Sequence, residues 1–326
     1  MGSGHWSTDV YSARASYRAS TGASAFAYSD GGATTVHPGL DPRGVTVRES
    51  RDSADHPESL TIGVLFDVTG SMRHVPRTLQ AKLPDLLGLL LRKGYVEHPH
   101  ILFGAIGDAT CDRAPLQVGQ FEADNRMDDD LGRILLEGGG GGQMTESYEL
   151  AMYFMARHTS IDCFEKRGKR GYLFMIGDEL AYPRVKRREI AKVIGDGPAE
   201  DVPLDAIVRE LQRMYEVYFI IPEGASHAGS RELKDFWQGL LGQNVLHLDD
   251  LDAVCETIAL TIGLAEDAID LAEGLDHLAE AGSDAGASVS RALARLDASR
   301  APVSVSPAPP GLDGPDASGP AATTRL

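Results

Sequence analysis

The chain has 326 residues, enough for one large α/β domain with appendages, and its 42% hydrophobic and 24% charged residues are ordinary for a globular protein rather than a disordered one. No run nears the ~18 to 20 consecutive apolar residues of a spanning helix, and a formal net charge of −17 opposes general binding to phosphate backbones. Cys111, Cys163 and Cys255 lie far apart without a CxxC pair, which argues against a disulfide framework or structural zinc and makes a reducing cytoplasm the expected location.

The opening MGSGHWSTDVYSARASYRAS lacks the apolar core of a secretory signal. Residues 1–58 are rich in Ser, Gly, Asp and Arg, with scattered aromatics (Trp6, Tyr11, Tyr17, Phe26, Tyr28) and no clear period, which predicts an extension whose aromatics pack on the main domain. Residues 59–272 alternate short apolar runs with amphipathic stretches. LTIGVLFD reads as a buried strand and VPRTLQAKLPDLLGLLLRKG as a helix with leucines three and four apart. HILFGAIGD and LQVGQFE are strands, DDDLGRILLEG a short helix and GGGGGQM a loop. ESYELAMYFMARH is a helix, GYLFMIGDE a second strongly buried strand, and 184–213 helical material. The strand YEVYFIIP, a helix around RELKDFWQGLLG, the strand NVLHLD and a helix from LDAVCETIALTIG follow.

This alternation predicts an α/β fold: a doubly wound, mostly parallel sheet with helices on both faces. The connection between HILFGAIGD and LQVGQFE is too short for a crossover helix, so that strand should run antiparallel at an edge. Residues 273–298 read as a C-terminal amphipathic helix, and the Pro-, Ala- and Ser-rich 299–326 as a disordered tail. The basic runs EKRGKR and RVKRRE flank GYLFMIGD and fall at opposite ends of that strand, roughly 25 Å apart, as solvated faces rather than one patch.

In an open parallel sheet, ligands bind beyond the carboxyl ends of the strands. Asp67 and Asp178 end two of the apolar strands and should share that rim, with the hydroxyls of Thr69 and Ser71 in the turn above. The glycine loop delivers Thr145 and Ser147 at the start of a helix. Two carboxylates and several neutral hydroxyls make a hard-oxygen site suited to Mg²⁺ or Mn²⁺. Asp108 should reach the same rim, either as acceptor for a metal-bound water or as a turn residue, and Ser147 either joins the site or caps its helix. Asp128 to Asp130 suit a helix N-terminus. GGGGGQMT lacks the lysine of a phosphate loop, the ten histidines form no HExxH, and no catalytic residue is assigned.

The pattern Asp67-x-Thr69-x-Ser71-Met72, then Thr145 after a glycine loop, then a strand ending in Asp178, resembles the metal-ion-dependent adhesion site of the von Willebrand factor A domain over roughly residues 60–262. The family's first motif is usually DxSxS, and Thr69 keeps the hydroxyl. In its last motif Asp is usually followed by Gly, whereas here Gly177 precedes Asp178 and Glu179 follows. The resemblance implies that Asp67, Thr69 or Ser71, Thr145 and Asp178 hold Mg²⁺, or Mn²⁺, directly or through water, leaving one position for a partner protein's Glu or Asp. It further implies a non-enzymatic adaptor of the cytoplasmic prokaryotic type, with a MoxR-type AAA+ ATPase or a stress- or conflict-response assembly as partner; the net charge and the lack of a long apolar run argue for no nucleic acid and no membrane. FDVTGS is also similar to the phosphorylated DKTGT of P-type ATPases, and MIGDE to the GD motif of haloacid dehalogenase-type phosphotransferases. That alternative makes Asp67 a nucleophile, with Asp178 helping to bind Mg²⁺, but position 69 is Thr where the soluble phosphatases carry the second Asp of DxD.

Overall fold

The structure, a computed structural model, describes residues 4–72, 74–139 and 144–300, without the side chains of residues 71, 299 and 300. The Ser71 hydroxyl, residues 140–143 of the glycine loop and the tail from 301 to 326 lie outside the described residues.

Six strands form the main sheet: β1 Leu60–Asp67, β2 Pro99–Ile106, β3 Leu116–Val118, β4 Gly171–Ile176, β5 Tyr215–Pro222 and β6 Val245–Leu248, in the order β6-β5-β4-β1-β2-β3. Every pair is parallel except β2 with β3, where Gly104 faces Val118 and Ile106 faces Leu116. The short connection 107–115 permits nothing else. Every residue of β1, β2 and β4 is buried, so both faces of the central sheet are covered, as near-continuous apolar strands require.

The helices of eight residues or more are α1 Thr8–Thr21, α2 His74–Leu87, α3 Tyr148–Arg157, α4 Leu204–Leu211, α5 Arg231–Leu241, α6 Val254–Ala265, α7 Leu271–Glu280 and α8 Gly286–Arg300. Helix α2 packs against α6, and α3 against α4. Three short ladders lie outside the main sheet: Arg48–Ser50 with Thr159–Ile161, Thr145–Glu146 with Leu180–Ala181, and Arg184–Val185 with Val202–Pro203.

The N-terminal segment buries Tyr11, Phe26 and Leu40. It contains the helix α1, which its lack of period conceals. Only Tyr11 of α1 is buried; the Ser7 hydroxyl caps the first turn, and Gly22 closes the last with φ 69°. Polar contacts do the rest. Tyr11 Oη donates to the Gln80 carbonyl at 2.7 Å, and Arg14 meets Asp129 at 2.8 Å. The C-terminal helix expected over 273–298 is two helices, α7 and α8, broken at Gly282, whose φ of 74° no continuing helix allows. The stretch 184–213 likewise divides into Arg187–Val193 and α4, with Val202–Pro203, one strand of the third ladder, between.

Candidate metal centre at the carboxyl end of the sheet

The sheet order reverses between β1 and β4: the chain leaves β1 for β2 on one side and later returns to β4 on the other. A crevice opens at such a point beyond the carboxyl ends. Asp67 is the last residue of β1, and Asp178 follows two residues after the end of β4; both are fully buried.

Each is held from its own direction. Asp67 Oδ1 accepts the Thr69 N–H at 2.6 Å, and its Oδ2 accepts the Tyr148 hydroxyl at 3.2 Å. Asp178 Oδ2 accepts the His227 N–H at 3.0 Å. Thr69 is 3% exposed; its hydroxyl lies beside the Asp67 carboxylate, yet its Oγ1 forms no hydrogen bond among the described residues. The Gly70 N–H donates to the Gly139 carbonyl at 2.9 Å, which ties the turn after Asp67 to the start of the glycine loop. Thr145 is half-buried and pairs with Leu180, so the segment after Asp178 runs alongside it.

Asp108 and Ser147 come to the same rim with duties of their own. The Asp108 carboxylate accepts the Thr110 N–H at 2.8 Å, the Thr110 hydroxyl at 2.7 Å and the Tyr182 hydroxyl at 3.1 Å. Ser147 stands at the N-cap of α3 but caps no helical N–H; its Oγ accepts the Ala109 N–H at 2.9 Å and stitches the Asp108 turn to α3.

Three residues that motif reading passes over complete the rim. Glu146 and Glu179 are 1% and 7% exposed, and each has an Oε2 with no hydrogen-bond partner among the described residues. Burial, then the Asp67 charge, pushes both carboxyls well above the usual range. Burial, opposed by Thr69 and reinforced by the Asp178 charge, pushes Asp67 up to about 7. Tyr148 is the third, and its place explains the departure at Gly177: a Cβ there would fall on the Tyr148 hydroxyl, so only glycine lets that hydroxyl reach Asp67. Each of the three sits one or three residues from a motif residue, and that adjacency was the only signal in the sequence.

The donors suit a hard cation. They are oxygens, they concentrate uncompensated negative charge, and the buried Thr69 Oγ1 has a lone pair to spare. Among the described residues no three His, Cys, Asp or Glu side chains are already gathered as a metal-holding group. An arrangement of two carboxylates with hydroxyls does not require one.

No protein-family model and no curated protein matches the chain. Among solved structures, the pilus adhesin SpaC from Lactobacillus rhamnosus GG in its open conformation is similar at 8% identity with a TM-score of 0.45, over 67% of this chain and 31% of that one. Proximal thread matrix protein 1 from the mussel byssus is similar at 12% identity with a TM-score of 0.40, over 64% of this chain and 48% of that one. The chain thus spans about a third of the adhesin and about half of the mussel protein. At that level of likeness neither protein's role transfers.

Proposed function

We propose that this chain is a divalent-cation-dependent protein-binding module with a doubly wound von Willebrand A-type fold, and that it binds an acidic side chain of a partner protein through Mg²⁺ or Mn²⁺. The observation that carries the reading is the meeting of Asp67 and Asp178 at the reversal of the sheet order, beside a buried Thr69 hydroxyl whose Oγ1 forms no hydrogen bond among the described residues. Asp67, Thr69 or Ser71, Thr145 and Asp178 would hold the ion, which supplies an electron-poor centre for a carboxylate that the net charge of −17 would otherwise repel. Tyr148 fixes the Asp67 carboxylate by its hydrogen bond, and Gly177 leaves room for it. Glu146 and Glu179, whose carboxyls burial and the Asp67 charge raise well above the usual range, would give up protons as a cation enters. Among the described residues no helix is long and apolar enough to cross a membrane. A cytoplasmic adaptor, with a MoxR-type AAA+ ATPase or a stress-response assembly as partner, is the role that the family resemblance suggests.

A thermal-unfolding titration with Mg²⁺ and Mn²⁺ after chelation tests the site. An ion at ~100 times its dissociation constant adds about 2.7 kcal/mol and raises the midpoint by several degrees. Wild type should respond, whereas Thr145→Ala and Thr69→Val should lose most of the response. An undiminished response in both variants would take the hydroxyls out of the site and favour the Asp67 nucleophile, which turnover of a phosphate ester would then reveal.

A further inference from the structure

The amino ends of β1 and β2, at the far end of the sheet from the acidic rim, carry a cluster of histidines. His98 and His100 flank Pro99, the first residue of β2; His56 lies in the loop leading into β1; His5 comes from the extension. The rings of His5, His98 and His100 meet that of His56 edge-on, with centroids 4.8, 5.4 and 5.2 Å away. His56 and His100 are buried, and His98 is half-buried and open to solvent on one side.

The hydrogen bonds around the cluster decide which nitrogens are free. His56 Nε2 stands 2.6 Å from the Gly4 carbonyl oxygen, so it carries the proton and Nδ1 presents a lone pair. His98 Nε2 faces the exposed Glu97 carboxylate at 3.7 Å, beyond hydrogen-bond reach, so the proton of a neutral His98 can sit on Nδ1. The two Nδ1 atoms then point at one another across 3.4 Å. In the metal-free protein His98 Nδ1–H can donate to His56 Nδ1, and a divalent cation lying off the line between the two nitrogens would displace that proton and take both lone pairs. A tetrahedral zinc ion with Zn–N bonds of about 2.0 to 2.1 Å sets two ligand nitrogens about 3.3 to 3.4 Å apart. A backbone carbonyl on one outer nitrogen and a carboxylate facing the other is also the arrangement that orients metal-bound imidazoles. A further nitrogen of the cluster, His100 Nε2, is buried without a hydrogen-bond partner among the described residues.

We propose that His56 Nδ1 and His98 Nδ1 form a site for a divalent transition ion of the zinc class, with water completing its coordination, and that the bound ion fastens the Gly4–His5 segment to the start of β2. Imidazole selects Zn²⁺, Ni²⁺ or Cu²⁺ over Mg²⁺, so this site and the oxygen-lined rim take different ions. Two protein ligands are consistent with the absence, among the described residues, of a preassembled group of three, and they predict micromolar affinity rather than that of a closed structural zinc site.

Equilibrium dialysis of the full chain against Zn²⁺, with millimolar Mg²⁺ present to occupy the rim, provides the test. One Zn²⁺ per chain is expected. His98→Gln and His56→Gln should each weaken binding about tenfold or more, and Asp67→Asn should leave it unchanged. Because His56 is buried and its variant can fail to fold, His98→Gln is the deciding comparison, with near-ultraviolet circular dichroism to verify its fold. Co²⁺ in place of Zn²⁺ should give visible absorption bands that His98→Gln loses. Wild-type affinity in folded His98→Gln, or no saturable binding below about 100 μM in wild type, overturns the proposal.

Discussion

Two groups of acidic side chains are built into this molecule, and they are finished differently. Asp128 and Asp130 are buried, yet Arg18 meets Asp128 at 3.4 Å, Arg14 meets Asp129 at 2.8 Å and Arg133 meets Asp130 at 3.1 Å. Gln80 Nε2 donates to Asp128 Oδ1 at 2.9 Å as well. At the rim, by contrast, no ion pair to Asp67, Glu146 or Glu179 forms among the described residues, and burial with their mutual repulsion raises the pKa of each. Buried carboxylates are tolerated only when paired or neutralised. The first group is neutralised by arginines of its own chain and serves to fasten the extension. The second has no cation of the described residues to neutralise it, which is useful where a cation from solution completes it.

The largest expected effect attacks the fastened group. Replacing Arg14 and Arg18 together by Met leaves Asp128 buried without its cations and should cost about 3 kcal/mol in urea unfolding; a loss below about 1 kcal/mol would mean that these pairs do not anchor α1. A similar size is expected from a buried group away from both clusters. Burial, then the neighbouring His56, lowers the His100 pKa to about 4, against about 6.5 when unfolded. The unfolded chain therefore takes up this proton first as pH falls. The contribution of His100 is fully present above pH 6.5 and drains away towards pH 4, by about 3 kcal/mol in all. Unfolding of wild type and His100→Gln across that range, in chelator, should show the difference narrowing as the medium is acidified.

Smaller effects sharpen the picture of the rim. Gly177→Ala should cost about 2 kcal/mol by driving a methyl group into the Tyr148 hydroxyl. Adding Tyr148→Phe should return part of that loss, and strictly additive costs would show that the two positions do not touch. Asp67→Asn is expected to do the reverse of an ordinary buried-polar change. Since the folded-state pKa of Asp67 is raised to about 7, against about 4 when unfolded, its carboxylate costs stability progressively from about pH 4 and in full above pH 7. At pH 8 in chelator the variant should be more stable than wild type by up to about 4 kcal/mol, less the cost of its lost hydrogen bonds, and the gain should vanish towards pH 4, while its melting point should no longer respond to Mg²⁺.

Much of the frame was legible because it rests on strong local patterns. LTIGVLFD is apolar on both faces and ends in Asp67, so the strand and the position of the carboxylate follow together. The antiparallel β3 followed from a connection too short to cross the sheet. Helix α1 was hidden because its face contributes one buried residue and its anchors are Asp128 and Asp129, more than a hundred positions away. Glu146 and Glu179 read as loop residues because only the ladder of Thr145–Glu146 with Leu180–Ala181 brings the two segments side by side. Pairings of two residues leave no period to detect. Gly282 divided the C-terminal helix where the apolar spacing continues almost undisturbed.

The contact between Gly177 and Tyr148 has an evolutionary consequence. A lineage that acquires any side chain at 177 must first, or simultaneously, give up the tyrosine at 148, since a Cβ there falls on its hydroxyl. The two positions are therefore inherited as one character, although 28 intervening residues separate them. Descendants of this chain should divide into those that keep the glycine–tyrosine couple and those that have exchanged both. In the second group the acid corresponding to Asp67 must find another donor or lose its fixed orientation.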